Sequence, residues 1–183
     1  MTIRTEAVFL DRDGVVNRQP AEGGYITSPE ELLLLPGAAD AIRRLNHGGF
    51  RVFLVTNQSC IGRGLVAAQT VEEIHARLLQ HVHDSGGKIE HVYVCPHDDG
   101  DACECRKPKP GMLLQASREH SLRLQDCWMV GDRASDITAG RVAGCRTVAV
   151  AGFEIFAAEF TAANLARAVE YILAESGLLD VPD

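Results

Sequence analysis

Asp11 and Asp13 stand two residues apart at the end of an apolar run, in FLDRDGVVN. In extended backbone, residues two apart project to the same side, and Gly14 permits a sharp turn just beyond them. Two carboxylates so close repel unless a cation or a proton intervenes. Asp132 and Asp136, in VGDRASD, add two more acids far along the chain. Oxygens converging from separate segments suit a hard cation such as Mg²⁺, which keeps some of its waters and bridges to phosphate. Paired acids alone are more often turn residues or solvated surface. The reading gains force from the polar groups that end the other apolar runs.

A second cluster lies in CPHDDGDACEC, where Cys95, His97, Cys103 and Cys105 follow a C-x-H-x5-C-x-C pattern. Three thiolates and an imidazole satisfy tetrahedral Zn²⁺, and a site with no position left for substrate is structural. Chance loop cysteines or a redox pair are the alternatives. The segment is polar and short of apolar anchors, whereas zinc binding is worth about 10–16 kcal/mol in small domains. Metal would therefore order a loop that packing could not, and Arg106 and Lys107 follow directly after the last ligand. Cys127 and Cys145 read as small core residues, while Cys60 has no assigned role. His47, His75, His81, His83, His91 and His120 show no ligand spacing.

The elements that must position these groups alternate along the chain. Strands are predicted over 7–11, 51–56, 91–95, 127–132 and 146–150, most of them nearly continuous in Val, Leu and Phe, as buried parallel strands are. Between them Ala38, Ala41, Ile42 and Leu45 keep helical spacing, as do Val71, Ile74, Leu78 and Val82. Pro110 suits the first position of a third helix. A fourth covers about 134–143, and a last one carries Leu165, Val169 and Ile172. The alternation predicts a three-layer α/β/α, Rossmann-like open parallel sheet. Ligands in such sheets sit beyond the carboxyl ends of the strands. That is where DRDG, TNQS, the Cys/His segment and GDR all fall.

At 183 residues the chain fits one domain over 1–183, with the zinc loop at 95–110 inside it. The net charge of −7 argues against a nucleic-acid surface. No apolar run approaches the roughly 18 residues of a membrane span, and the chain enters a strand-like run without a signal segment. A cytoplasmic protein is expected, with its six cysteines reduced or metal-bound. Asp11 to Thr56 holds one helix, and Thr56 to Lys107 one helix, one strand and the zinc loop. Neither interval leaves room for a large cap domain.

FLDRDGVVN, VTNQS, RKPKPG and VGDRASD, in that order, resemble the motifs of the haloacid dehalogenase (HAD) superfamily of phosphatases. The resemblance covers Ala7 to about Val150. It implies that Asp11 attacks phosphorus to form an aspartyl phosphate. Asp13 would protonate the leaving oxygen, then take a proton from the hydrolytic water. Lys107 and Thr56 would hold the phosphoryl oxygens. Mg²⁺ would lie on the Asp11 carboxylate, the Asp13 backbone carbonyl and the Asp132 carboxylate. The chemistry is consistent: a carboxylate nucleophile divides a very slow hydrolysis into two easier steps.

Within the superfamily the zinc loop is similar to that of the heptose bisphosphate phosphatases and the histidinol-phosphate phosphatases. GGYI at 23–26, TNQSCIGRG and CRKPKPGM favour the heptose group, although Cys60 and Gly62 depart from its common TNQSGIARG. That similarity implies loss of the C7 phosphate from a heptose 1,7-bisphosphate made for lipopolysaccharide precursors. Substrate would meet Asp11, Arg12, Asp13, Gly23, Gly24, Tyr25, Thr56, Asn57, Gln58, Ser59, Arg106, Lys107 and Arg133. A second phosphate would account for the extra cations Arg63, Arg106, Lys109 and Arg133. The expected partner is a small sugar phosphate, with no nucleic acid or membrane, and the expected state is a monomer. Histidinol phosphate is the alternative substrate, and a noncatalytic sugar-phosphate-binding module the alternative class.

Overall fold

The computed structural model describes residues 6–21, 24–150 and 157–178. Six strands form one parallel sheet in the order β3-β2-β1-β4-β5-β6. They are β1 (Ala7–Leu10), β2 (Arg51–Asn57), β3 (His91–Cys95), β4 (Trp128–Gly131), β5 (Arg146–Val150) and β6 (Phe160–Ala162). The helices are α1 (Ala38–His47), a short α2 (Ser59–Gly62), α3 (Ala68–Asp84), α4 (Gly111–His120), α5 (Ala134–Ala143) and α6 (Leu165–Glu175).

β1, β4 and the middle of β2 are buried at every position, because helices cover both faces of the sheet. Val8, Leu10, Val52, Leu54, Trp128 and Val130 point to one face, where α1, α3 and α6 contribute Ile42, Leu78 and Val169 to a common core. Phe9, Phe53 and Met129 point to the other, against Met112 and Leu113 of α4 and Ala139 of α5. Burying each large side chain is worth roughly 1.5–3 kcal/mol, so the strand ends rest on a stiff base.

Each predicted strand and helix forms, and the differences are local. β6 is a sixth strand that the sequence does not announce: it has three residues, two of them exposed, and so no apolar run. Pro110 is the N-cap of α4 rather than its first helical residue. Among the described residues no cap domain intervenes, and no helix is long and apolar enough to cross a membrane.

Strand order reverses at β1, which pairs β2 on one side and β4 on the other. Successive crossovers leave toward opposite faces there and open a crevice beyond the carboxyl ends of the two strands. Asp11 and Asp132 are the residues that follow those ends.

Candidate active site

The backbone N–H of Asp11 donates to the Val130 carbonyl at 3.0 Å, so β4 fixes the residue that leaves β1. Two glycines let the acids crowd together. Gly14 has φ +88°, and a Cβ there would lie 2.2 Å from Asp132 Oδ2. At Gly131 a Cβ would lie 2.1 Å from the Cβ of Asp136. Any side chain at either position would push the loops apart. As built, Asp11, Asp132 and Asp136 offer carboxylate oxygens within 4.8 Å of one another.

Lys107 enters this cluster from the opposite side. Its Nζ lies 2.6 Å from Asp11 Oδ1, 2.6 Å from Asp136 Oδ1 and 2.7 Å from the Val55 carbonyl, which engages all three ammonium donors. Asn57 holds the Lys107 backbone in both directions. Its Nδ2 donates to the Lys107 carbonyl at 3.0 Å, and its Oδ1 accepts from the Lys107 N–H at 3.1 Å. Asp136 has two duties, since its Oδ2 also accepts from the Arg133 N–H at 3.0 Å and caps α5.

Burial dominates the electrostatics. It pushes Asp11 up to about 7 against the pull of Lys107, with Asp136 adding to the rise. It pushes Asp132 up to about 6, again with Asp136 adding. Burial acts the other way on Lys107, but Asp11 and Asp136 outweigh it and hold the ammonium above its ordinary range. The cluster is three acids to one lysine, so it carries an excess of negative charge. Among the described residues Asp132 Oδ1 is buried without a hydrogen-bond partner. An all-oxygen donor set with one buried, unpaired oxygen fits a hard divalent cation.

The Asp13 carboxylate stands apart from this cluster. Its Oδ1 and Oδ2 accept from Arg12 Nη2 at 2.9 and 2.8 Å, from Asn17 Nδ2 at 2.9 Å and from Gln58 Nε2 at 3.0 Å. Burial raises this carboxyl, but the Arg12 guanidinium and the Asn17 and Gln58 amides overcome it and leave it below the ordinary carboxylate range. Any metal bond from Asp13 would therefore be through its backbone carbonyl. Gln58 Nε2 also donates to Thr56 Oγ1 at 2.8 Å, which leaves the threonine hydrogen available to another acceptor.

One cavity of about 1060 Å³ joins these groups. Asp11, Arg12, Asp13, Gly24, Tyr25, Thr56, Asn57, Gln58, Ser59, Arg106, Lys107, Asp132 and Arg133 all line it; Gly23 lies outside the described residues. The Arg12 side chain is 1% exposed and engaged with Asp13 and His75. Arg106 lies at the cavity's rim, held by Asp99 at 2.6 Å and by the His97 carbonyl at 3.2 Å. Arg63 also reaches the cavity but is paired with Asp98 at 2.9 and 2.6 Å. Lys109 does not join them. Its Nζ binds the Cys103 carbonyl at 2.6 Å and Glu104 at 2.9 Å, on the outside of the loop.

The four Cys/His side chains converge after β3. Cys95 Sγ lies 3.8 Å from Cys103 Sγ and 2.9 Å from Cys105 Sγ, and His97 Nδ1 lies 3.6 Å from Cys95 and 3.2 Å from Cys105. Zn–S bonds of about 2.3 Å in a tetrahedron place sulfurs roughly 3.7 Å apart, close to the Cys95–Cys103 separation, whereas Cys95 and Cys105 stand nearer. No disulfide joins any of the six cysteines. Burial, with Cys105 beside it, raises the Cys95 thiol well above its ordinary range.

Two participants escape a reading of the sequence. Asp136 is visible there as an acid but not as the anchor of Lys107, because the pairing spans two strand ends. His75 shows no ligand spacing, yet its Nε2 lies 3.0 Å from Arg12 Nη1 in a buried contact. The one available signal was its place on the apolar face of α3, one residue from Ile74.

Comparison with known proteins agrees with this geometry. Residues 104–168 match the HAD-hydrolase-like family. The chain is 41% identical over 143 residues to the D-glycero-β-D-manno-heptose-1,7-bisphosphate 7-phosphatase of Pseudomonas putida, covering 78% of this chain and 81% of that one. With the enzyme of the same name from Bordetella bronchiseptica it shares 39% over 138 residues, covering 75% and 76%. A crystal structure of the B. bronchiseptica D,D-heptose 1,7-bisphosphate phosphatase, complexed with magnesium and phosphate, superimposes with a TM-score of 0.84 at 34% identity, over 93% of this chain and 99% of that one. The corresponding phosphatase of Burkholderia thailandensis gives 0.69 at 30% identity, over 92% and 99%.

Proposed function

The chain belongs to the HAD-like D-glycero-β-D-manno-heptose-1,7-bisphosphate 7-phosphatases, and on that premise we propose that it removes the C7 phosphate of this sugar through an aspartyl-phosphate intermediate. The observation that carries the substrate reading is the cavity itself: Arg106 and Arg133 line the same space as Asp11, beyond the one lysine a single phosphoryl group requires.

An Asp11 carboxylate oxygen bonds to phosphorus while the bond from phosphorus to the C7 oxygen breaks, and Asp13 gives that oxygen its proton. A water then bonds to phosphorus, the Asp11–phosphorus bond breaks, and Asp13 takes a proton from the water. Lys107 and the Thr56 hydroxyl stabilise the charge on the transferring group. Because Lys107 already uses its three donors, contact with the phosphoryl group requires it to exchange one partner. Mg²⁺, held by the Asp11 and Asp132 carboxylates and the Asp13 backbone carbonyl, would neutralise charge between the nucleophile and the anionic substrate. Zn²⁺ on Cys95, His97, Cys103 and Cys105 would be structural and fix the wall that carries Arg106.

In the resting site Asp11 is raised and Asp13 lowered, the reverse of what nucleophile and acid need. A cation beside Asp11 would lower the first, and a phosphoryl anion beside Asp13 would raise the second. In the cell the enzyme would act as a cytoplasmic monomer, supplying heptose for lipopolysaccharide precursors.

Steady-state kcat/KM with Mg²⁺ on the heptose 1,7-bisphosphate, as both anomers, and on histidinol phosphate tests the assignment. A heptose bisphosphate should be preferred by at least about 100-fold, since a second buried phosphate contact is worth a few kcal/mol. A preference for histidinol phosphate would overturn it.

A further inference from the structure

We propose that His75 is a positioning residue for proton transfer: it holds the Arg12 guanidinium from behind and so sets the orientation of the Asp13 carboxylate. The inference rests on the reading of Asp13 as the acid and base of the phosphatase reaction.

Arg12 is 1% exposed, so every N–H it carries must find a protein partner or remain unpaired away from water. One side of the guanidinium faces Asp13, with Nε at 3.1 Å and Nη2 at 2.9 Å from Oδ1, and Nη2 at 2.8 Å from Oδ2. That grip fixes the plane of the carboxylate. Nη1 faces the opposite way and meets His75 Nε2 at 3.0 Å. His75 comes from α3, no residue of which lines the cavity.

The chemistry of the contact defines the state of the ring. Arginine only donates, so His75 Nε2 must accept and the ring proton must sit on Nδ1. Burial, with Arg12 beside it, lowers His75 to about 4 and keeps the imidazole neutral. A space-filling histidine would need no such tautomer, and an apolar side chain would serve as well on this face beside Ile74 and Leu78. The three residues form a chain from the helix layer to the reacting oxygen, with Asp13 as its end at the chemistry and His75 away from the cavity. Asn17 and Gln58 steady Asp13 from other sides, so loss of His75 should loosen the acid without removing it.

Substitution tests the chain because leaving groups differ in their need for a proton. With His75→Leu, kcat/KM on the sugar phosphate should fall about 10–100-fold, part of the 10²–10⁴ that a positioned acid supplies. On an aryl phosphate whose phenolate leaves unprotonated, it should change less than about threefold. His75→Gln, which restores an acceptor, should recover most of the difference. Equal losses on both substrates, no loss on either, or a Gln variant as impaired as Leu would each overturn the proposal. A readout on the unmodified protein stands if the Leu variant does not fold: long-range ¹H–¹⁵N correlation should show His75 protonated at Nδ1 and bare at Nε2. A proton on Nε2 would overturn the proposal. Should the heptose assignment fail instead, the wild type would lack its sugar preference, while the tautomer and the contrast between alkyl and aryl phosphates would persist.

Discussion

The two clusters of metal-ligand type in this protein are built in opposite ways. Asp11, Lys107, Asp132 and Asp136 come from widely separated points in the chain and meet because a buried parallel sheet brings its strand ends together. Cys95, His97, Cys103 and Cys105 come from one short stretch: Cys95 ends β3 in the core, and the other three lie on the polar loop that follows. The first cluster inherits its order from the core. The second would inherit its order from the ion it holds. Damage to the first should therefore remove chemistry and spare the fold, whereas damage to the second should loosen structure and weaken chemistry indirectly.

The sharpest break of that contrast is Asp11→Asn. Turnover should fall by at least about 10⁴-fold, the scale seen when a covalent nucleophile is removed. Melting temperature should move by only a few degrees, about 1–2 kcal/mol, because the substitution keeps volume and relieves a buried carboxylate while depriving Lys107 of one partner. Substantial residual turnover would mean that another group attacks phosphorus.

Cys103→Ser probes the other side. Zinc content should fall from about one per chain, and residues 95–105 should become sensitive to limited proteolysis. Lys107 should keep its place, since Asn57 grips its backbone N–H and carbonyl from β2 without help from the loop. Arg106 has no such second hold: its partners are Asp99 and the His97 carbonyl, both on the loop. The expected signature is KM for the sugar bisphosphate raised about tenfold, near 1.4 kcal/mol of lost binding, with kcat reduced less. A loss confined to kcat would place the loop's influence on Lys107 instead.

The same contrast explains what the sequence made legible. The cysteine loop could be read directly because its spacing is local. The acidic and lysine motifs could be read because each closes an apolar run, and the rules of parallel sheets send such ends to one edge. What stayed hidden were the pairings between elements: Asp136 with Lys107, Asn57 around the Lys107 backbone, and His75 behind Arg12. Each depends on how one element packs beside another far off in the chain, which periodicity does not encode. Lys109 is the converse case. Its place in RKPKPG suggested a phosphate contact, but it turns outward to Glu104. β6 was missed for a simpler reason, being three residues long with only Ala162 buried.

The smallest expected effect separates the clusters by pH. Asp11 at about 7 and Asp132 at about 6 lie above their ordinary value of 3.8, so without metal the folded protein holds protons at these groups that the unfolded chain releases. Their contribution to stability is fully present below pH 3.8 and is lost as pH rises through 6 and 7. His75 runs the other way: lowered to about 4, it makes the fold lose stability as pH drops from 6.5 through that value. A melting curve alone would blend the two trends, but the difference between curves with and without Mg²⁺ isolates the carboxylates, because His75 contacts neither of them. Mg²⁺ binds the ionised forms and must displace those protons at low pH. The Mg²⁺-induced rise in melting temperature should thus be a few degrees larger at pH 8 than at pH 5.5, roughly 1–2 kcal/mol, with the zinc content held constant. An equal rise at both values would mean that Asp11 and Asp132 are already ionised without metal, and that Lys107 alone balances the cluster.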